Sequence, residues 1–452
     1  MNPLDDRNYP YEPGAGTLWA WGIFSLAVYL ILGRLPADTL QTQSADMLSV
    51  TRFLVLIGCA FGWYWILVSR LIKGWRLSPR QFGVAIGFAL VFRVVLLPSP
   101  MILENDIYRY QWDGHTTLQG INPYRYAPLD AETQPYRTDY WERINYRYVP
   151  TIYPPVLQYV YTLSELFFPG HVMGMKLVMV LFDVGTLFLL IQVLRALRRP
   201  REWCLIYAWS PLVLKEVANS GHADSVCAFF LTLAMLFLAR SQDLAGGVAL
   251  AGMTLTKFFG ILFLPLLRRL WRWPAYALFS VTALVLYLPF LSPGVNPFQG
   301  FLIFSREWRF NGGIFNLTAW LLQHGTGFAV FNPDTAARVL LFVVILLVTA
   351  WQAYRLPKEG LPEDGLRALL VVMGTLMLCS PVINPWYFVW LLPLLCVFPH
   401  RSWTLLTGLI FLSYTFYYTR TFPQWVPWAE YGTFFAVLLF ERSSSRRDWR
   451  LY

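Results

Sequence analysis

Long apolar runs separated by short polar clusters recur along the chain from about residue 17 to residue 441. A membrane-crossing helix needs about 20 mostly apolar residues, and fewer where it is tucked inside a bundle. On that scale the pattern predicts spans near 17–34, 51–71, 81–98, 173–195, 203–217, 223–240, 244–256, 258–268, 272–291, 335–354, 366–381, 385–398, 402–418 and 428–441. The expected fold is an all-α polytopic membrane bundle of roughly 12–14 helices, with residues 1–452 forming one integral membrane domain. One further apolar run, 156–169, is short and follows Pro154-Pro155, so it reads as an interfacial or half-inserted helix.

Charge sets the orientation. The connection between the second and third spans carries Arg70, Lys73, Arg76 and Arg80, which places it on the cytoplasmic side by the positive-inside rule. The N-terminus is then cytoplasmic and the loop 100–170 lies outside. Leaving 156–169 out of the count puts Arg195, Arg198, Arg199 and Arg201 inside as well. Arg268, Arg269 and Arg272 follow, then Arg355 and Lys358, then Arg401, then a cytoplasmic tail with Arg446, Arg447 and Arg450. The first apolar run is expected to stay as an anchor.

Composition agrees with this class. Hydrophobic residues make up 56% of the chain and charged residues 14%, against about 25% charged in soluble domains. Aromatic residues reach 17%, as interfacial belts require. The net charge of +10 sits in short clusters between apolar runs, a pattern for cytoplasmic loops and anionic headgroups and not for nucleic acid. Cys59, Cys204, Cys227, Cys379 and Cys396 lie in apolar segments at unrelated spacings and read as small core residues.

The loop 100–170 is the longest polar stretch, and its many tyrosines and tryptophans argue against disorder. At its start stands 104–126, ENDIYRYQWDGHTTLQGINPYRY. A helix opening at Asp106 places Asp106, Arg109, Tyr110 and Asp113 at i, i+3, i+4 and i+7, on one face, with Gly114 expected to end it. A polar face beside a membrane suits chemistry on a lipid-borne substrate. The plainer reading makes Asp106 an N-cap, Arg109 and Asp113 a surface pair worth about 0.3–0.5 kcal/mol, and the tyrosines a belt.

Further polar clusters fall on the same outer side. They are Lys215-Glu216 with Asn219-Ser220-Gly221-His222-Ala223-Asp224, then Thr256-Lys257, then Arg306-Glu307-Trp308-Arg309-Phe310-Asn311-Gly312-Gly313. Asn384-Pro385-Trp386-Tyr387 and Trp428-Ala429-Glu430-Tyr431 complete the set. Each has a structural reading of its own, as turn, cap or headgroup contact. Their convergence on one face is harder to explain that way, because charge near a membrane is costly and usually marks function. His222 and nearby backbone N–H groups at the outward N-terminus of a span can hold a phosphate. Lys257 must reach outward or meet an anion. Asp183 and Lys176 lie within an apolar run and do not fit the outer face; Arg93 is a structural partner to expect for Asp183.

No metal-ligand spacing, Walker loop or dinucleotide fingerprint is present. No metal or other cofactor is expected, with a divalent cation left open. No room remains for a soluble nucleotide-sugar-binding domain, so a sugar donor must arrive through the membrane.

Several motifs together resemble one family. Asp106-Ile107-Tyr108-Arg109-Tyr110 with Trp112-Asp113-Gly114, Gly120-Ile121-Asn122-Pro123-Tyr124 and Tyr153-Pro154-Pro155 are similar to the first outer loop of the GT-C glycosyltransferases. The closest branch is the bacterial polyprenyl-phosphate-mannose-dependent α-mannosyltransferases, which Ser220-Gly221-His222-Ala223-Asp224, Thr256-Lys257 and Pro385-Trp386-Tyr387 also resemble. The resemblance covers most of residues 80–400 and implies a GT-C-like bundle in the plasma membrane, active on its outer face. It implies an inverting transfer of a hexose, mannose by resemblance alone, from a polyprenyl-phosphate carrier to a lipid or glycan acceptor. An acidic base in the first outer loop maps onto Asp106, with Glu104 its close rival. Substrate contacts are then expected from Arg109, Tyr110, Asp113, His222, Asp224, Lys257, Arg309, Asn311, Asn384, Trp386 and Tyr387, with His222, Lys257 and Arg309 holding the departing phosphate. The rival from another class is a lipid-sugar flippase or transporter, which predicts polar residues through the membrane depth and repeated halves. A purely structural membrane scaffold is more distant.

Overall fold

The computed structural model describes residues 13–35, 47–325, 332–419 and 421–445, so the tail arginines Arg446, Arg447 and Arg450 lie outside it. The described residues are helical and form no strand; the one exception to helix and loop is an isolated bridge from Phe310 and Asn311 to Val382. Among the described residues, five helices are long and apolar enough to cross a membrane: Met47–Ile72, Pro79–Leu96, Val172–Ala196, Trp273–Phe290 and Pro333–Arg355. Their outward faces carry exposed apolar side chains such as Val94, Leu181 and Leu347, as expected of surfaces that meet lipid.

The first half follows the hydropathy pattern closely. Helices α1 (Ala15–Leu32), α2 (Met47–Ile72) and α3 (Pro79–Leu96) occupy the first three expected spans. Ser78 starts α3 with a reciprocal cap: its Oγ accepts from Gln81 N, and Gln81 Oε1 accepts from Ser78 N, while Pro79 sits where no N–H is needed. Helix α4 (Asp106–Leu118) follows, then α5 (Pro155–Phe167), opened by Pro154-Pro155, then α6 (Val172–Ala196).

Gly114 does not end its helix. It lies inside α4, where a Cβ would stand 2.5 Å from the carbonyl oxygen of Tyr161 on α5. A glycine reads locally as a stop, but here it lets two helix backbones approach. The cost of about 1 kcal/mol in helix propensity is offset by that packing.

The second half departs from the pattern. The segment expected as one span at 203–217 is broken into a 3-10 turn Arg201–Cys204, helical pieces Leu205–Ala208 and Pro211–Val213, and a π-helix Leu214–Asn219. Phe258–Leu267 is a 3-10 helix containing Pro265, and 385–397 divides into Pro385–Val389 and Leu392–Val397. The expected span at 402–418 changes to 3-10 geometry at Ile410–Thr415, and the last helix begins with a π-turn at Trp428–Gly432. Hydropathy reports burial and not hydrogen-bond register, so it cannot see these breaks. Irregular backbone at membrane depth is tolerated where protein surrounds it or it lines a cavity. Two helices, Gln299–Glu307 and Gly313–His324, occupy the stretch left unassigned between 291 and 335.

The polar residues inside the apolar run of α6 are satisfied structurally. Arg93 of α3 grips Asp183 with two bonds, 2.5 and 3.1 Å, and also donates to the carbonyls of Ala89 and Ala208. Lys176 Nζ donates to Ser99 O at 2.8 Å, closing the end of α3. Both residues are thereby bound to the helix framework.

Candidate active site

The loop–helix junction Glu104-Asn105-Asp106 forms one wall of a cavity of about 520 Å³. Arg109 and Tyr110 of α4 extend that wall. Asn145, Tyr146 and Tyr153 come from the rest of the 100–170 loop, Lys257 from the start of the 3-10 segment, and Trp308 and Arg309 from the loop after Gln299–Glu307. Asn384, Trp386 and Tyr387 close the far side with Tyr414. The Phe310 strand-like bridge ties two of these loops: Phe310 N donates to Pro381 O and Ile383 N donates to Phe310 O.

Asp106 faces the cavity with 21% of its side chain exposed. Asn145 Nδ2 donates to its Oδ1 at 2.6 Å and to Asn105 Oδ1 at 3.2 Å. Burial raises the Asp106 carboxyl above its ordinary range, against the lowering pull of the Asn145 bond and of Lys257. Glu104 is more enclosed, at 8% exposed. Its Oε1 accepts from Tyr414 Oη at 2.6 Å, and burial pushes its carboxyl well up while nearby Lys215 opposes the shift.

His222 stands behind these acids. The π-helix ends at Asn219, and Gly221 follows in the turn beyond it, with a φ of +73° that suits glycine and a missing Cβ that leaves room for Ile107. The turn aims His222 Nε2 at Glu216 Oε2 (3.3 Å) and Glu104 Oε2 (3.7 Å), and Nδ1 at Tyr110 Oη (3.5 Å) and Asp106 Oδ2 (3.9 Å). Trp386 stacks on the imidazole at 4.0 Å and 14°. Burial, then Lys215 and Lys257, hold its pKa well below the ordinary value. Surrounded by carboxylates and covered by an indole, His222 does not present a cationic face to the cavity. The anion contact expected from its turn would have three carboxylates within 4 Å of the imidazole.

Lys257 does reach the cavity. Its ammonium lies 3.4 Å from Asp224 Oδ1 and over the rings of Tyr153, Tyr387 and Trp390, at 5.8, 5.3 and 5.2 Å. Aromatic faces favour a partly desolvated cation there. Arg309 also lines the cavity but is held in a two-pronged pair with Asp334, 2.8 and 2.7 Å.

The expected residues therefore divide. Glu104, Asp106, Arg109, Tyr110, Lys257, Arg309, Asn384, Trp386 and Tyr387 line one cavity. Asp113, His222 and Asp224 stand behind its wall. Arg109 and Asp113 form a buried pair at 2.8 Å, not a surface one, and Asp113 also accepts from Thr151 at 2.6 Å, so the pair fixes the loop. Asn311 does not line the cavity; it is buried and donates to Glu430 at 2.8 Å. Asn145 and Tyr414 were not distinguished by any local sequence signal; Tyr153 and Trp308 stood in motifs, and Lys215 and Glu216 in a cluster, without a role.

Among curated proteins and among solved structures, no match is found. Two family models do match. One, described as alpha-(1->6)-mannopyranosyltransferase, N-terminal domain, covers residues 17–273; the other, the MptB C-terminal domain, covers residues 312–423. The first alone spans more than half of the chain and contains Glu104, Asp106, His222 and Lys257, while the second contains Asn384, Trp386 and Tyr414. This chain belongs to the MptA/B family of alpha-(1->6)-mannopyranosyltransferases.

Proposed function

We propose that the protein is an inverting mannosyltransferase that takes mannose from a polyprenyl-phosphate carrier and delivers it to a hydroxyl of a lipid or glycan acceptor on the non-cytoplasmic side. The observation that carries this reading is one cavity wall on which a carboxylate, Asp106, and an ammonium, Lys257, are both presented. Family membership supports the sugar; the carrier and the side of the membrane are inferred from the bundle and its charge pattern.

In the reaction the acceptor oxygen attacks the anomeric carbon of mannose, and the bond from that carbon to the phosphate oxygen breaks. The phosphate leaves with the electron pair, and the acceptor's proton passes to Asp106 as general base. Phosphate is a good leaving group, so no second carboxylate is needed to protonate it, in contrast to a glycosidase. Lys257 offsets the charge that develops on the phosphate, with Arg309 at the cavity rim. Trp386 and Tyr387 offer apolar faces for the sugar or the first isoprene units. Glu104 is the weaker base because its Oε1 already accepts from Tyr414 and lies 3.8 Å from Lys215 Nζ. The chain then acts as one membrane domain in which the loop 100–170 supplies the base.

The test is transfer by purified protein in nanodiscs, with polyprenyl-phospho-mannose as donor and an α-1,6-mannoside as acceptor. The expected product has inverted anomeric configuration by NMR. Asp106→Asn should lower turnover by about 10²–10⁴-fold while the variant elutes and unfolds as the parent does. Near-normal turnover in that variant removes Asp106 from the scheme.

A further inference from the structure

We propose that Glu104, Glu216 and His222 form a binding site for a divalent transition-metal cation in the inner wall of the cavity. One ligand atom from each lies within 4.8 Å of the other two, and all three residues are buried. The two carboxylate approaches to His222 Nε2, 3.3 and 3.7 Å, are close to the separation of adjacent ligands around a small cation with bonds of about 2.0–2.2 Å.

A second observation points the same way. His222 Nε2 is buried and makes no hydrogen bond, although it faces two carboxylate oxygens. A buried ring nitrogen left this way is costly unless something binds it. The other atoms are arranged as supports for such a ligand set. Tyr414 Oη engages Glu104 Oε1 at 2.6 Å and Glu216 Oε1 at 3.0 Å, while both Oε2 atoms face His222, that of Glu216 also accepting from Lys215 Nζ at 3.2 Å. Trp386 fixes the ring plane. Outer partners of this kind orient the ligands of a metal site.

Charge supplies a third argument. Glu104, Asp106 and Glu216 all lie within 4 Å of the imidazole. Among the described residues Lys215 is the cation that touches this group, 3.2 Å from Glu216 and 3.8 Å from Glu104; Lys257 pairs with Asp224. With all three acids ionised, two negative charges have no partner. Buried charge of that kind requires a counter-ion or a proton, and a divalent cation supplies the balance. Lys215 donates to Glu216 Oε2 at 3.2 Å and also lies over the Tyr414 ring at 4.3 Å, so its single positive charge offsets one of the three carboxylates. One imidazole nitrogen with two carboxylate oxygens suits Mn²⁺ or Zn²⁺ better than Mg²⁺ or Ca²⁺, which favour oxygen alone. Because Glu104 lines the cavity, remaining coordination positions would face the donor's phosphate; this role, though not the binding itself, rests on the mannosyltransferase reading above.

The probe is Mn²⁺. The full-length protein, purified in detergent, stripped with chelator and dialysed, is titrated while the room-temperature EPR signal of free Mn²⁺ is followed. One Mn²⁺ per chain is expected, with Zn²⁺ competing for it. Glu216→Gln keeps the side-chain shape and should weaken Mn²⁺ by at least about tenfold, the scale set by losing even an outer partner of a metal site. His222→Gln should do the same, and gel filtration with near-UV circular dichroism shows that each variant is folded. No uptake at millimolar Mn²⁺, or equal uptake by parent and both folded variants, overturns the site and leaves protons as what balances the acids. If Mn²⁺ does not bind while Asp106→Asn still abolishes mannosyl transfer, the cation site fails and the transferase reading stands; stoichiometric Mn²⁺ without transfer gives the reverse.

Discussion

Asn145 Nδ2 donates to Asp106 Oδ1 at 2.6 Å, across 39 positions of chain, and so sets the direction in which the carboxylate meets the cavity. The remaining oxygen faces His222 and the open space. Asn145→Ala should release that carboxylate without removing it. A misplacement of about 1 Å at a reacting group costs on the order of 10²-fold in rate, so kcat should fall by about that much with the donor KM little changed. Steady-state kinetics with varied donor separate this outcome from a general loss of structure, which would lower the active fraction and leave kcat per active site intact.

Lys257 and Asp224 make a second test, because one faces the cavity and the other does not. Lys257→Met removes the ammonium and leaves Asp224 buried without its partner, a change that costs roughly 3–5 kcal/mol when such pairs are broken on one side. The single variant should lose both transfer and thermal stability. Lys257→Met combined with Asp224→Asn should recover most of the stability and none of the activity. Recovery of transfer in the double variant would show that the ammonium has no part in handling the phosphate.

The Arg93–Asp183 pair predicts the opposite separation. It joins α3 to α6 away from the cavity and is almost fully enclosed. Asp183→Leu alone should destabilise by about 3–5 kcal/mol, while Arg93→Met with Asp183→Leu should return close to the parent, since apolar replacement of both partners is often neutral or better. Transfer per folded molecule should be unchanged in the double variant. Unfolding in detergent followed by tryptophan fluorescence, set beside turnover, reads both.

How far the sequence disclosed all this depends on the range of the interaction concerned. The face made by Asp106, Arg109, Tyr110 and Asp113 was legible because helical spacing is local, and helix α4 carries it. The pairing of Asp183 with Arg93 was legible because a charge inside an apolar run demands an opposite charge nearby. The extent of α4 was not, because whether a glycine stops a helix or admits a neighbour depends on Tyr161, far along the chain. Asn145 carried no signal for the same reason: its role exists only once the loop folds back on α4. The breaks at Leu214–Asn219 and Phe258–Leu267 escaped detection because apolar residues occupy α, 3-10 and π geometry alike. That π-turn is what directs Glu216 toward His222, so the acid cluster behind the cavity was hidden with it.

Gly114 offers the last prediction, and it joins packing to catalysis. Added methyl carbon would lie 2.5 Å from Tyr161 O and 2.7 Å from Tyr161 C, both backbone atoms that cannot rotate away. Gly114→Ala should therefore separate α4 from α5 despite alanine's better helix propensity. Overpacking of this kind costs typically about 1–3 kcal/mol, more than the roughly 1 kcal/mol that alanine contributes within a helix. Tyr110 lies one turn earlier on α4 and stacks on Tyr161 at 4.7 Å and 6°, so the same displacement is passed to the ring that faces His222. The expected result is a lowered unfolding temperature together with a reduced kcat. A Gly114→Ala variant that is more stable than the parent would mean that α4 and α5 have slack at this crossing, and that the glycine is there for a reason other than close approach.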